Sequence, residues 1–211
     1  TIGGTVATEN LYNLTIAKTS GIGVTTTGSL TTINCNNYTN TSGNFTPPAN
    51  FNVAGNVTLT SGTFTAGAAM SVGGNFTHAT GGGVVFTPGT GTVTFNGSGT
   101  QNSNWTVGSA STFTPGTNTV NFTNGNTQEI NGTASSLTLY NTVINKTAGT
   151  TLSTAGSINT LTTNNLTNTQ GIFTAPATLN INGNYTLTAG AFNAGAQVNV
   201  AGNWSHATGA T

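Results

Sequence analysis

Charge is almost absent from this chain of 211 residues. It contains no aspartate and no arginine, and its four formal charges, which sum to zero, are Glu9, Lys18, Glu129 and Lys146. Because there is no basic patch to contact phosphates, we expect no binding to nucleic acid. No apolar run reaches the roughly 18 residues that a membrane-spanning helix needs, so we expect no membrane span.

Clustered acids and paired cysteines are also missing. Calcium-binding repeats need several aspartates, and solenoid polysaccharide lyases need acids and a basic residue, so both classes are excluded. The single Cys35 cannot form an internal disulfide, so cysteine usage does not indicate a compartment. No signal peptide is visible and the chain begins at Thr1, which suggests a mature or excised segment.

Threonine (49), asparagine (31) and glycine (30) together make up more than half of the chain. Hydrophobic residues are 34% of the total, which predicts a thin core. The many β-branched residues and the ten phenylalanines at regular positions argue against disorder. Helix is not expected, because apolar residues do not recur every three or four positions and Gly, Thr and Asn disfavour helix interiors.

An internal repeat of 128 residues organises the sequence. Residues 1–83 align with residues 129–211 without a gap, 42 of the 83 positions are identical, and residues 84–128 lie between the two copies. Most of the apolar differences exchange one apolar residue for another. Because no linker interrupts the match, we expect residues 1–211 to form one continuous solenoid.

A shorter period lies inside the 128-residue unit. Phe45 and Phe64 are 19 residues apart, Phe86 follows after 22 and Phe113 after 27. Each is followed by a turn-like stretch with Gly or Pro and then by alternating apolar and polar residues, which is typical of short half-buried strands. A unit of about 21 residues matches one coil of a solenoid, whose apolar face is buried only when coils stack. We therefore predict an all-β, parallel β-solenoid of roughly ten coils. A string of small β-sandwiches is disfavoured, because a repeat of about 21 residues is too short to form a sandwich.

The polar residues are predicted to form the surface and corners of this solenoid. Stacked coils place like residues above like, so outward Asn and Thr can form hydrogen-bonded ladders. Gly and Asn accept the positive φ that tight corners require. The equivalent residues Lys18 and Lys146 are predicted to be solvated charges.

Few side chains could carry catalysis or bind metal. His78 and His206 are equivalent in the two copies, but a zinc site needs three or four ligands close together and no further ligand is near either. Glu9 and Glu129 are predicted to lie more than five coils apart, whereas a glycosidase pair must lie within about 5–10 Å. We therefore expect no catalytic site, no cofactor and no metal, and the protein is not expected to be an enzyme.

Fourteen Asn-x-Ser/Thr sequences occur, where composition alone would give about nine. In a secreted protein of a glycosylating organism such asparagines can carry sugar. An aromatic middle residue points inward in an alternating strand, which leaves the asparagine outward and accessible. The candidate glycosylation sites are Asn13, Asn44, Asn56, Asn75, Asn121, Asn184 and Asn203.

Three segments carry a family resemblance: GTVTFNGSGTQ (Gly91–Gln101), LYNTVINKTAGT (Leu139–Thr150) and GNVTLTSGTFTAG (Gly55–Gly67). They resemble the β-strand repeats of very long bacterial cell-surface and secreted proteins, the broad class of filamentous-haemagglutinin-like adhesins. The resemblance covers nearly the whole chain and implies a surface-displayed or secreted β-solenoid of a large polypeptide or fibre, without catalytic residues. The chain departs from the class in lacking Asp and in its variable spacing.

We therefore expect an extracellular or cell-surface structural protein that forms, or belongs to, a fibre or adhesin. The first expected partner is a further copy of the chain, or its continuing polypeptide, joined head to tail because neither end shows a polar cap. Surface glycans and host or neighbouring cells are also expected partners. An ice-binding solenoid is the first alternative, favoured by runs such as Thr58–Thr60 and Thr92–Thr94, although Asn shares the outward positions. A carbohydrate-active β-helix enzyme is a weaker alternative.

Overall fold

The computed structural model describes residues 1–79, 83–97 and 99–211, and the described residues form 27 short β-strands. In chain order the strands are β1 (Ile2–Gly4), β2 (Thr8–Ala17), β3 (Gly23–Gly28), β4 (Thr32–Ser42), β5 (Asn44–Thr46), β6 (Asn50–Val53), β7 (Val57–Leu59), β8 (Gly62–Thr65), β9 (Ala69–Val72), β10 (Phe76–His78), β11 (Val84–Thr87), β12 (Thr92–Phe95), β13 (Trp105–Val107), β14 (Thr112–Phe113), β15 (Thr119–Phe122), β16 (Gln128–Gly132), β17 (Ser136–Thr138), β18 (Asn141–Asn145), β19 (Thr151–Thr154), β20 (Thr160–Thr163), β21 (Asn165–Gln170), β22 (Ile172–Thr174), β23 (Thr178–Ile181), β24 (Tyr185–Leu187), β25 (Ala191–Asn193), β26 (Gln197–Val200) and β27 (Trp204–His206).

The strands stack in parallel on three faces of a β-solenoid of about nine turns, which confirms the predicted fold. Face 1 contains β1, β3, β5, β8, β11 and β14, and then β17, β20, β23 and β26. Face 2 contains the first halves of β2 and β4, and then β6, β9, β12, β15, β18, β21, β24 and β27. Face 3 contains the second halves of β2 and β4, and then β7, β10, β13, β16, β19, β22 and β25.

The 128-residue repeat does not contain a whole number of turns. Among the described residues, 1–83 provide twelve strand segments, because β2 and β4 each cover two faces, whereas the stretch from 84 to the start of β16 adds only the five strands β11 to β15. The second copy therefore begins 17 segments, or five and two-thirds turns, after the first. We call this offset by a non-integral number of turns the fractional repeat. As a result Ile2 lies on face 1 while its equivalent, Ile130, lies on face 3. Equivalent residues of the two copies therefore always lie on different faces of the rod.

The core is a narrow column of inward side chains stacked turn upon turn. On face 1 the rings of Phe45, Phe64, Phe86 and Phe113 follow one another at 6.1, 5.5 and 5.4 Å between centroids. Full burial of each phenylalanine contributes about 1.5–3 kcal/mol relative to exposure. Stacking in register thus provides the core that a single coil lacks.

The corner from face 3 to face 1 depends on glycine. Gly43 and Gly62 both have φ of +85°, which other residues rarely adopt. A Cβ atom on Gly62 would also collide with the carbonyl oxygen of Gly43 in the turn below. Gly171 and Gly190 repeat this arrangement in the second copy.

Candidate functional site

Asparagine side chains form a ladder along the corner that leads into face 3 in the first copy. The Oδ1 atom of Asn56 accepts the main-chain N–H of Asn75, one turn later, at 2.8 Å. Such contacts satisfy backbone donors that the strands leave open at the corner. The corner ladder consists of Asn37, Asn56 and Asn75 in the first copy, Asn104 between the copies, and Asn165, Asn184 and Asn203 in the second copy.

This corner ladder explains many of the Asn-x-Ser/Thr sequences without glycosylation. The asparagine occupies the corner, the middle residue enters the core and the threonine or serine lies on the outer strand surface. Of the candidate sites, Asn13, Asn56, Asn75, Asn184 and Asn203 are exposed, and Asn44 and Asn121 are half-buried. Glycosylation at these sites stays a prediction. Stacked turns are about 4.8 Å apart, so adjacent corner asparagines cannot both carry a branched glycan.

Threonine forms a separate outward column on face 3. Asn shares the outward strand positions, as the sequence indicated: the turn after Thr106 places Asn131 in the same column, and β4 and β6 carry Asn34 and Asn52 outward on face 2. Five successive turns place threonine at one position. These residues are Thr15, Thr39, Thr58, Thr77 and Thr106.

A groove of about 530 Å³ runs along the edge where face 2 meets its next corner. On one side, the Nδ2 of Asn34 donates to the Oδ1 of Asn10 at 2.7 Å, and the Nδ2 of Asn52 donates to the Oδ1 of Asn34 at 2.8 Å. The Oγ of Ser71 then donates to the Oδ1 of Asn52 at 3.0 Å. The residues that line this first groove are Asn10, Leu11, Asn34, Cys35, Asn36, Asn52, Val53, Ala54, Ser71, Gly73 and Asn96.

A second groove, of about 520 Å³, occupies the equivalent position in the second copy. Its ladder has the same direction, since the Nδ2 of Asn199 donates to the Oδ1 of Asn180 at 2.8 Å and the Nδ2 of Asn180 to the Oγ1 of Thr162 at 3.4 Å. Because of the fractional repeat, this groove lies on face 1 rather than face 2. Its lining residues are Thr162, Asn180, Ile181, Asn182, Val198, Asn199, Val200 and Ala201.

Both grooves are uncharged, and each combines apolar lining surface with a polar ladder along one side. None of the residues that line either groove is charged. A carboxamide has two N–H donors and two acceptor lone pairs on its oxygen, and a ladder position in mid-run uses one of each. The remaining donor and acceptor are available to a ligand. The outward hydrogen-bonded ladders could be predicted from the sequence. The grooves could not, because their shape depends on the position of each corner relative to the strand surface.

The prediction that Lys146 is a solvated charge is wrong, because the side chain is only 1% exposed. Its Nζ donates to the main-chain oxygen of Asn124 at 3.3 Å, to the Oδ1 of Asn124 and to the Oε1 of Gln128 at 2.8 Å. Burial lowers the pKa of Lys146 to about 8. Asn124 and Gln128 belong to the turn beneath the lysine, whereas the equivalent Lys18, in the first turn, is exposed.

The buried lysine belongs to a polar network at the junction between the two copies. The Nε2 of Gln128 donates to the carbonyl oxygens of Phe95 and Ser103, both at 3.2 Å. Ser103 has a positive φ of 55° and its hydroxyl donates to the carbonyl oxygen of Val72 at 2.8 Å. These hydrogen bonds connect successive turns between the two copies, where the fractional repeat arises. The network therefore has a structural role.

The remaining titratable candidates lie far from one another. His78 is buried between the rings of Phe76 and Phe86, and burial lowers its pKa to about 4. Its equivalent, His206, is exposed on a different face, and its Nε2 lies 2.6 Å from the carbonyl oxygen of Ala210. Among the described residues, no three His, Cys, Asp or Glu side chains are grouped as metal ligands would be.

The two glutamates do not form a pair. Glu9 lies on face 2 in the first turn and Glu129 on face 3 in the sixth. Five turns correspond to about 24 Å, which is well beyond the separation of a glycosidase pair. The structure therefore brings together none of the acid–base combinations that the sequence offers.

Comparison of the chain with protein-family models, with curated proteins and with solved structures gives no match. None of the described residues forms an apolar helix of membrane-spanning length.

Proposed function

We propose that this chain is a structural segment of an extracellular or cell-surface fibre of the adhesin type, without catalytic activity. The nearly uncharged surface supports this proposal, because like charges repeated at each turn would repel one another along a rod. The sequence resemblance to bacterial β-strand-repeat proteins favours surface display. Contacts would come from repetition along the rod rather than from one deep pocket.

The in-register stacking of nearly uncharged turns along one axis is the observation that carries the proposal. Trp204 is 49% exposed, whereas its equivalent Phe76 is fully buried, because β13 stacks on Phe76. Val198 and Val200 are likewise only half-buried, while their equivalents in β9 are buried. A turn that stacks in register buries such core residues and continues the rod, whether it belongs to a second copy or to the same polypeptide. A contact of this head-to-tail kind does not close and so generates a filament.

Electron microscopy and sedimentation over a range of concentrations test the axial contact. Nine turns correspond to a rod of about 43 Å, and we expect longer filaments as the concentration rises. Trp204→Lys should keep the chain monomeric, because stacking would then bury a charge. Thr46→Lys, on the exposed side of the rod, is the matched control and should leave filaments intact. Rods of single-chain length at every concentration would contradict head-to-tail assembly of the chain.

Antibody labelling of intact source cells tests the location independently. Labelling without permeabilisation is expected if the rod is displayed on the cell surface, and recovery from the medium if it is secreted. Signal only after permeabilisation would overturn the extracellular assignment.

Ice binding is a second candidate, supported by the regular threonine column on face 3. Five threonines at successive turns form an evenly spaced row of hydroxyl and methyl groups. Thermal hysteresis should then be measurable, and Thr58→Lys, in the middle of the row, should abolish it. Absence of hysteresis in the unmodified chain eliminates this candidate.

A further inference from the structure

We infer that the two grooves are equivalent binding sites for a neutral, hydroxyl-rich polysaccharide chain. This inference rests on the proposed surface role and gives it a ligand class and a location. The first groove and the second groove recur with the same ladder in both copies, so the chain would present two sites of one kind.

A tyrosine accompanies each groove at its first turn. Leu11 pairs with Cys35 and Asn13 with Asn37, so Tyr12 occupies the corner position one turn before Asn36, which lines the first groove. Tyr12 is 80% exposed, the most exposed of the large hydrophobic side chains in the described residues. An aromatic ring held on the surface in this way offers an apolar face to a ligand at low entropic cost.

The second groove has a tyrosine in the turn before its first lining residue, Thr162. Tyr140 is the equivalent of Tyr12, and its carbonyl oxygen accepts the main-chain N–H of Asn164, one turn later, at 2.7 Å. Tyr140 is half-buried but retains exposed surface. Each groove therefore has a row of carboxamide and hydroxyl groups, and a tyrosine lies at a corner near its first turn without itself lining the groove.

This combination matches the two surfaces of a sugar ring. The C–H face of a pyranose packs on an aromatic ring, and its hydroxyl groups both donate and accept, as the free donors and acceptors of Asn34 and Asn52 do. Because the lining residues carry no charge, an acidic polysaccharide gains no ion pair there. The open shape of a groove that crosses several turns suits an extended chain rather than a single sugar.

Because of the fractional repeat, the two grooves open on different faces of the rod. The first groove lies on face 2, and the second lies on face 1, five and two-thirds turns further along the rod. One straight polysaccharide chain cannot follow both grooves. The rod would therefore bridge two chains, and its avidity for a polysaccharide mesh would exceed the affinity of either site.

Isothermal titration with defined neutral hexasaccharides tests the inference. The probes are β-1,4-linked glucose, β-1,4-linked N-acetylglucosamine and α-1,4-linked glucose hexamers, with a galacturonic acid hexamer as the acidic comparison. We expect at least one neutral hexamer to bind with two sites per chain. Binding should persist at about 1 M salt, where ion pairs are screened within about 3 Å.

Variants of the tyrosines connect any binding to the grooves. Tyr12→Ala should halve the number of high-affinity sites, with a loss of about tenfold in affinity at the first groove, whereas Tyr12→Phe should bind as the unmodified chain does. The double variant Tyr12→Ala/Tyr140→Ala should lose both sites. Thr46→Ala, exposed on face 1 in the first copy, is the matched surface control. Because Tyr12 is exposed, its variants should keep the melting temperature.

Three results would overturn the inference: no neutral hexamer binds, only the acidic hexamer binds, or the double variant binds as well as the unmodified chain. Filament formation and surface labelling are measured separately. A rod that assembles on the cell surface but binds no hexamer would remove the polysaccharide sites and leave the structural proposal intact.

Discussion

Acid should destabilise this solenoid through one residue, His78. The imidazole is buried between aromatic rings, and burial lowers its pKa from 6.5 to about 4. Between these two pH values the unfolded chain binds more protons at this residue than the folded chain does. The free energy of unfolding is therefore highest above pH 6.5 and falls as the pH drops towards 4.

The size of this effect follows from the pKa difference. Each pKa unit corresponds to 1.36 kcal/mol, so the full shift amounts to about 3 kcal/mol. That is a large part of the roughly 5–15 kcal/mol by which a typical domain is stable. Acidification should therefore lower the denaturation midpoint strongly, although the effect comes from a single buried imidazole.

Urea denaturation across this pH range, followed by circular dichroism, measures the effect. His78→Leu places the residue of the preceding turn, Leu59, at this position and should remove about 3 kcal/mol of the acid-induced loss. His206→Leu, at the exposed equivalent position, is the matched control and should keep the loss. All three proteins carry the same two glutamates, so the comparison isolates the imidazole. If His78→Leu loses as much stability on acidification as the unmodified chain, burial of the imidazole is not the cause.

Other substitutions test the core, the corners and the absence of metal. Val53→Asp should cost about 3–5 kcal/mol in urea denaturation, because it buries an unpaired charge; an unchanged midpoint would show that Val53 does not face inward. Asn56→Ala removes the acceptor of the Asn75 N–H and should cost about 1 kcal/mol, whereas Asn56→Asp keeps an acceptor and should cost less. Gly62→Ala should lower the melting temperature, because the added methyl group collides with the carbonyl oxygen of Gly43. EDTA should leave the melting temperature unchanged, and a drop of several degrees would reveal a structural metal ion.

The solenoid fold could be predicted from the sequence because its signals are local. The recurrent phenylalanines, such as Phe45 and Phe64, are each followed by a turn and an alternating strand. These features report directly on coil length and on which residues face inward. Outward ladders follow from stacking alone, and Asn34 and Asn52 form one as expected.

The fractional repeat could not be predicted in this way. The spacing of 27 residues between Phe86 and Phe113 shows that a coil is longer, but not whether the extra residues form a strand or a corner loop. In the structure much of the extra length lies between β12 and β13, so residues 84–128 contain five strands rather than six. Local pattern cannot reveal this, because pairing with neighbouring turns decides it.

The environment of Lys146 was unpredictable for a related reason. The lysine and its equivalent, Lys18, have similar flanking sequences, yet one is buried and the other exposed. The difference comes from Asn124 and Gln128, which lie in a preceding turn about 20 residues away in sequence. Burial in a solenoid is set by the neighbouring turn as much as by the residue's own strand.

The step of one face between the two copies has an evolutionary consequence. A gene duplication in most repeat proteins must preserve a whole structural unit, since a partial turn would direct core residues to solvent. Here each face accepts the same pattern of small polar and apolar residues, so inserting or deleting a single strand leaves a viable rod. Recombination can therefore lengthen or shorten such a protein at many breakpoints. Each change of one strand also turns all later surface features to a new side, so that length variation and surface variation arise from the same genetic event.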